Sequence, residues 1–143
     1  MNTTTTSSRI ALTAATLSVA FWAAKSVAIG TAGGLGISPW ENPLYFAGLL
    51  CHVTAVVSLG LALSTGRHPA QRALLVVALI GGALAITVLV GTIAASLEPA
   101  APSWMWTELN LWVIGLLTLA AAWLVVRRQS LRASADHSLI PAS

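Results

Sequence analysis

The chain has 143 residues, of which 57% are hydrophobic and 8% charged, with a mean hydropathy of +0.84. Water-soluble domains carry about a quarter charged residues, so this composition is too poor in polar groups for a solvated surface and points to an integral membrane protein. Net charge is +3, and the basic residues are not interleaved with aromatics as a nucleic-acid-binding face requires, so no nucleic-acid partner is expected.

The first nine residues, "MNTTTTSSR", form a polar N-terminal segment. The apolar run behind them has the look of a secretion signal, but the segment carries a single arginine and Lys25 interrupts the run. It is read as a retained span. A membrane-crossing helix needs about 20 mostly apolar residues. Four stretches meet that requirement: 10–30, 44–64, 73–97 and 105–126. Their connectors, "GLGISPWENP", "TGRHPAQR" and "EPAAPSW", are short and each contains proline, which suits a chain leaving a helix. Short connectors predict antiparallel neighbours, hence an all-α, up-down four-helix bundle over residues 10–126. Residues 127–143 are polar, lack helical apolar spacing and read as a mobile tail.

The arginines set the expected orientation. Arg9 precedes span one, Arg67 and Arg72 lie between spans two and three, and Arg127, Arg128 and Arg132 follow span four. All fall on one side if both termini are cytoplasmic, with Glu41, Glu98 and Glu108 at or near the other. Trp40, Trp104 and Trp106 then sit at the outer boundary, where an indole has an apolar body and a wet N–H. Trp22, Trp112 and Trp123 lie inside spans and are expected to pack against lipid or helices. An alanine-rich chain that prefers arginine to lysine suggests a GC-rich bacterial source, and so the bacterial cytoplasmic (inner) membrane.

Lys25 is the one lysine in the chain, and it falls within span one. Counting about 1.5 Å per residue from the nearest arginine places Lys25 roughly 24 Å above that boundary. The same count puts His52 and Thr87 at roughly 22 Å, Asn110 at roughly 26 Å and Glu108 at roughly 28 Å. In a hydrocarbon core about 30 Å thick these five share the outer third. Residues three, four and seven apart lie on one helix face, so Lys25 shares its face with Ala14, Ala15, Ser18 and Trp22. His52 shares one with Gly48, and Glu108 one with Gly115. Small residues there let helices approach closely, and Gly30 with Gly34 has the spacing of another such contact or ends the span.

Two readings of Lys25 follow. A buried ammonium costs several kcal/mol unless paired, and Glu108 is the acid at matching depth, with His52 or Asn110 as a further partner. Alternatively Lys25 snorkels outward and Glu108 sits wet in the first turn of its helix.

Cofactor chemistry finds little support. His68 and His137 lie in polar segments, so a haem bound to His52 lacks a second histidine. Cys51 builds neither a disulfide nor a cysteine metal cluster and reads as a small apolar residue. A shift of about 61 residues aligns "IGT" of span one with "VGT" of span three and Arg67 with Arg128, a weak sign of hairpin duplication.

No serine-hydrolase elbow, HExxH or paired intramembrane carboxylate is present, which argues against an enzyme. The leading expectation is a non-enzymatic accessory or oligomer-forming subunit whose partners are the lipid bilayer and a second copy or a larger membrane complex. The alternative is a small ion- or proton-coupled transporter or channel using Lys25, His52 and Glu108. A membrane enzyme acting on lipid or quinone is a lesser alternative.

Overall fold

The computed structural model describes residues 3–97 and 104–138. Four α-helices follow in chain order: α1 (Thr3–Ala32), α2 (Glu41–Leu63), α3 (Pro69–Ser96) and α4 (Trp104–Ser138). Among the described residues there is no strand. Each helix is long and apolar enough to cross a membrane. The connector from 98 to 103, with Glu98, and the last five residues lie outside the described residues.

Helix ends explain where the boundaries depart from the sequence-based ones. α1 begins well before Ile10, because Ser8 belongs to its buried face and donates a 2.6 Å hydrogen bond to Gln129. It stops where Gly33 takes φ +90. There the Gly33 N–H bonds to Gly30 O and the Gly34 N–H to Ile29 O, the paired closure of a Schellman cap. Gly34 therefore ends the helix and does not form a helix–helix contact with Gly30.

Both inner helices start with a proline in the first turn, Pro43 in α2 and Pro69 in α3, where a missing N–H leaves no bond unmade. Glu41 closes the preceding loop by accepting a 2.7 Å bond from the Gly36 N–H. α4 runs on past residue 126 to Ser138, because "RRQSLRASADHS" has no glycine or proline to break it. Its 35 residues span roughly 50 Å, well beyond a hydrocarbon core of about 30 Å.

Packing follows a seven-residue period on three helices. In α1 the buried positions include Ser8, Ala11, Ala15, Ser18, Trp22, Lys25 and Ile29, alternately three and four apart, with Ala14 beside them. In α2 they include Gly48, His52, Ala55, Leu59 and Ala62. In α4 Glu108, Gly115, Thr118 and Ala122 continue the pattern. Such spacing keeps one seam facing a neighbour at a shallow crossing angle. Most seam residues are small, so the backbones approach closely without a hydrophobic driving force.

α3 is different. Of its 28 residues only Ala94 is buried. Its backbone runs close to those of α2 and α4 and, among the described residues, not to that of α1. It comes close to α2 at Gly60, where an added Cβ would stand 2.8 Å from a Val76 methyl.

Candidate functional site

Lys25 lies on the buried seam of α1, and across from it α4 presents Glu108. The Lys25 ammonium donates to Glu108 Oε1 at 2.5 Å, and both side chains are almost fully buried, at 7% and 6% exposure. Lys25 does not snorkel outward. Taking one such partner away would leave the other as an uncompensated buried charge, which typically costs about 3–5 kcal/mol. Two further contacts run along the same seam, Trp112 Nε1 to Ser26 Oγ at 3.3 Å and Ser8 to Gln129. Ser8, near the start of α1, thus meets Gln129 late in α4, while Lys25 and Ser26, late in α1, meet Glu108 and Trp112 early in α4.

The third partner is not the one expected from depth. Neither His52 nor Asn110 bonds to the pair; the Tyr45 ring lies under the ammonium instead, with its centroid 5.6 Å from Lys25 Nζ. An aromatic face attracts a cation without needing a hydrogen bond. Asn110 Oδ1 accepts from the Leu111 N–H, and Thr87 bonds back to Ala83 O.

Trp22 organises the rest. Three residues before Lys25 on the same seam, its indole is 2% exposed and wedged between two glycines. A Cβ at Gly48 of α2 would overlap the indole, and one at Gly115 of α4 would stand 3.0 Å from it. These two of the expected packing glycines thus make room for one large ring. Gly30 lies against the Trp104 side chain, with 3.4 Å left for a Cβ. His52 stacks on Trp22 with ring centroids 5.3 Å apart.

Beside this stack is a cavity of about 230 Å³ to which all four helices contribute. It gathers His52, Thr87 and Asn110 from the expected polar layer, and adds Trp22 and Tyr45. Lys25 and Glu108 are not among its lining residues. Several buried polar atoms have no hydrogen-bond partner among the described residues: both His52 ring nitrogens, Trp22 Nε1, Ser18 Oγ and Glu108 Oε2. A buried group left in that condition costs about 1–3 kcal/mol, so the cluster is a polar locus held in place by packing.

The boundary residues sit at the surface. Trp40 is 65% exposed at the start of α2, while Trp104 and Trp106 are half-buried at the start of α4. All six arginines are exposed, and Arg127 lies over the Trp123 ring at 5.3 Å. Among the described residues no group of three or more His, Cys, Asp or Glu side chains is placed to hold a metal ion.

Trp22 was legible as a face-mate of Lys25, whereas Tyr45 gave no signal, because its role depends on the rotation of α2 against α1. No protein-family model matches this chain, and no curated protein or solved structure matches it either. What the helices and the site define is a bundle of four helices, each long and apolar enough to cross a membrane, with an ion pair buried between α1 and α4.

Proposed function

We propose that the chain is a non-enzymatic subunit that assembles within the membrane through α3, either with a second copy or with another membrane protein. The observation that carries this reading is the contrast in burial: α1 packs along a continuous seam against α2 and α4, and α3 buries only Ala94. Gly81, Gly82 and Gly91 on α3 have open space where a Cβ would be, so a helix backbone from outside meets no steric barrier there. In this reading the Lys25–Glu108 pair is structural and fixes α1 on α4.

The accompanying topology is an up-down bundle in the bacterial cytoplasmic membrane with both termini inside. Its support is the collection of arginines in the first, middle and last polar segments, following the positive-inside rule.

A second reading, ion- or proton-coupled transport through the polar layer, draws support from the cavity beside His52. Native mass spectrometry of particles extracted from the native membrane in mild detergent separates the two. A defined oligomer or complex that Gly82→Leu dissociates, with tight liposomes, supports assembly. A monomer in native membranes, together with a His52-dependent proton flux in liposomes, would replace it with transport.

A further inference from the structure

A groove of about 450 Å³ runs along the outside of the bundle between the first half of α1 and the middle of α2. Its free polar groups gather at one end. Thr6, Arg9 and Thr13 line it near the start of α1, while Leu17 of α1 and Leu50 and Cys51 of α2 line the deeper part. Thr54 adds no free donor there, because its hydroxyl is already bonded to Leu50 O at 2.8 Å. From Thr6 to Leu17 the helix rises roughly 16 Å, about half the thickness of a hydrocarbon core. The groove is open to the bilayer, since Leu50 is 70% exposed and Leu17 46%.

Arg9 marks the wet end. It is exposed and has no ion-pair partner among the described residues. The Ser8–Gln129 hydrogen bond brings this turn of α1 level with Arg127 and Arg128 of α4, which are also exposed and outside any ion pair among the described residues. An apolar wall does not choose among lipids, because one acyl chain matches it as well as another. The choice falls to charge. A guanidinium binds a phosphate through two parallel hydrogen bonds, and a basic residue at a membrane surface favours an anionic lipid by roughly fivefold.

We propose that this groove holds one anionic phospholipid, with its phosphate on Arg9 and an acyl chain laid along Leu17, Leu50 and Cys51. Polar groups at the boundary and apolar ones below them follow the order of headgroup and chain in such a lipid. The groove is built by α1 and α2 alone, so the inference is independent of whether the chain assembles through α3.

The test is native mass spectrometry of the full chain in a mild detergent, titrated with phosphatidylglycerol and with phosphatidylcholine of the same acyl chains. The expected result is one phosphatidylglycerol retained per chain, at a concentration roughly fivefold below that for phosphatidylcholine. Arg9→Gln should bring the two lipids within about twofold of each other, whereas Arg72→Gln at the start of α3 should leave the preference in place. Thr13→Trp and Thr54→Trp fill the groove from its two walls at exposed positions. Each should abolish the retention, so one suffices if circular dichroism shows the other to be misfolded. Equal retention of the two lipids by the wild type would overturn the proposal, as would a preference that survives Arg9→Gln. Displacement of the lipid by soluble glycerol phosphate would also overturn it, because the headgroup would then bind without the groove. Loss of a homo-oligomer in a folded, groove-filled variant that still retains the lipid would assign the groove to a second copy instead.

Discussion

α1 and α3 are both membrane-length helices, and the more apolar one is the less buried. The α1 span has a mean hydropathy of 1.5 with a third of its core window buried; α3 has 2.8 with none buried. In water that ordering would be reversed, because hydrophobicity drives burial there. Within a bilayer the lipid tails are as apolar as a leucine side chain, so hydropathy brings a helix into the membrane and says nothing about its neighbours. Burial is decided by shape and polarity: a seam of alanine, serine and glycine, one tryptophan between two glycines, and one ion pair. α1 supplies an alanine–serine seam, the tryptophan and the cation of the pair, whereas α3 has glycines and alanines but no tryptophan and no member of an ion pair.

The contrast can be broken most severely at the ion pair. Lys25→Ala should destabilise the bundle by about 3–5 kcal/mol, measured by unfolding in detergent micelles, because Glu108 is left buried without its cation. A loss under about 1 kcal/mol would mean that Glu108 reaches water and the seam is loose.

Next comes the tryptophan wedge. Gly48→Ala places a methyl inside the Trp22 indole and should cost about 1–3 kcal/mol, and Gly48→Ala with Trp22→Phe should recover part of it. If Gly48→Ala is neutral, the wedge does not set the α1–α2 distance.

Gly60→Ala sharpens the comparison from the other side. The new methyl meets Val76 across the α2–α3 contact, so amide hydrogen exchange should accelerate in α3 and stay unchanged in α1. Uniform acceleration would show that the four helices open as one unit.

The smallest effect is expected on α3 itself. Gly81→Ala has open space around it and should stabilise the isolated chain by up to about 1 kcal/mol through helix propensity. The same change should weaken any native complex that mass spectrometry resolves, because a closely docked backbone would then meet the methyl.

The sequence carried the architecture clearly, and it did so for local reasons. Four apolar runs of sufficient length, interrupted by proline-bearing polar connectors, leave four helices as the available solution. The meeting of Lys25 with Glu108 was also within reach, because helical rise fixes depth and depth left one acid at the right level. The partner under the ammonium was not, since the choice of Tyr45 over His52 or Asn110 turns on helix rotation, which no residue count supplies. Gly34 shows the same limit: its spacing from Gly30 fits a helix contact, but a positive φ at Gly33 ends the helix first. The bareness of α3 was hidden too, because its apolar sequence reads alike whether the neighbour is lipid or protein.

The most direct test is the double-mutant cycle of Lys25→Ala and Glu108→Ala, with unfolding free energies measured in one detergent. If the pair is buried and fixes α1 on α4, the double variant will be more stable than Lys25→Ala alone, because no unpaired charge remains in the seam. Strictly additive losses would mean that the two side chains do not sense each other, and the enclosed ion pair would have to be abandoned.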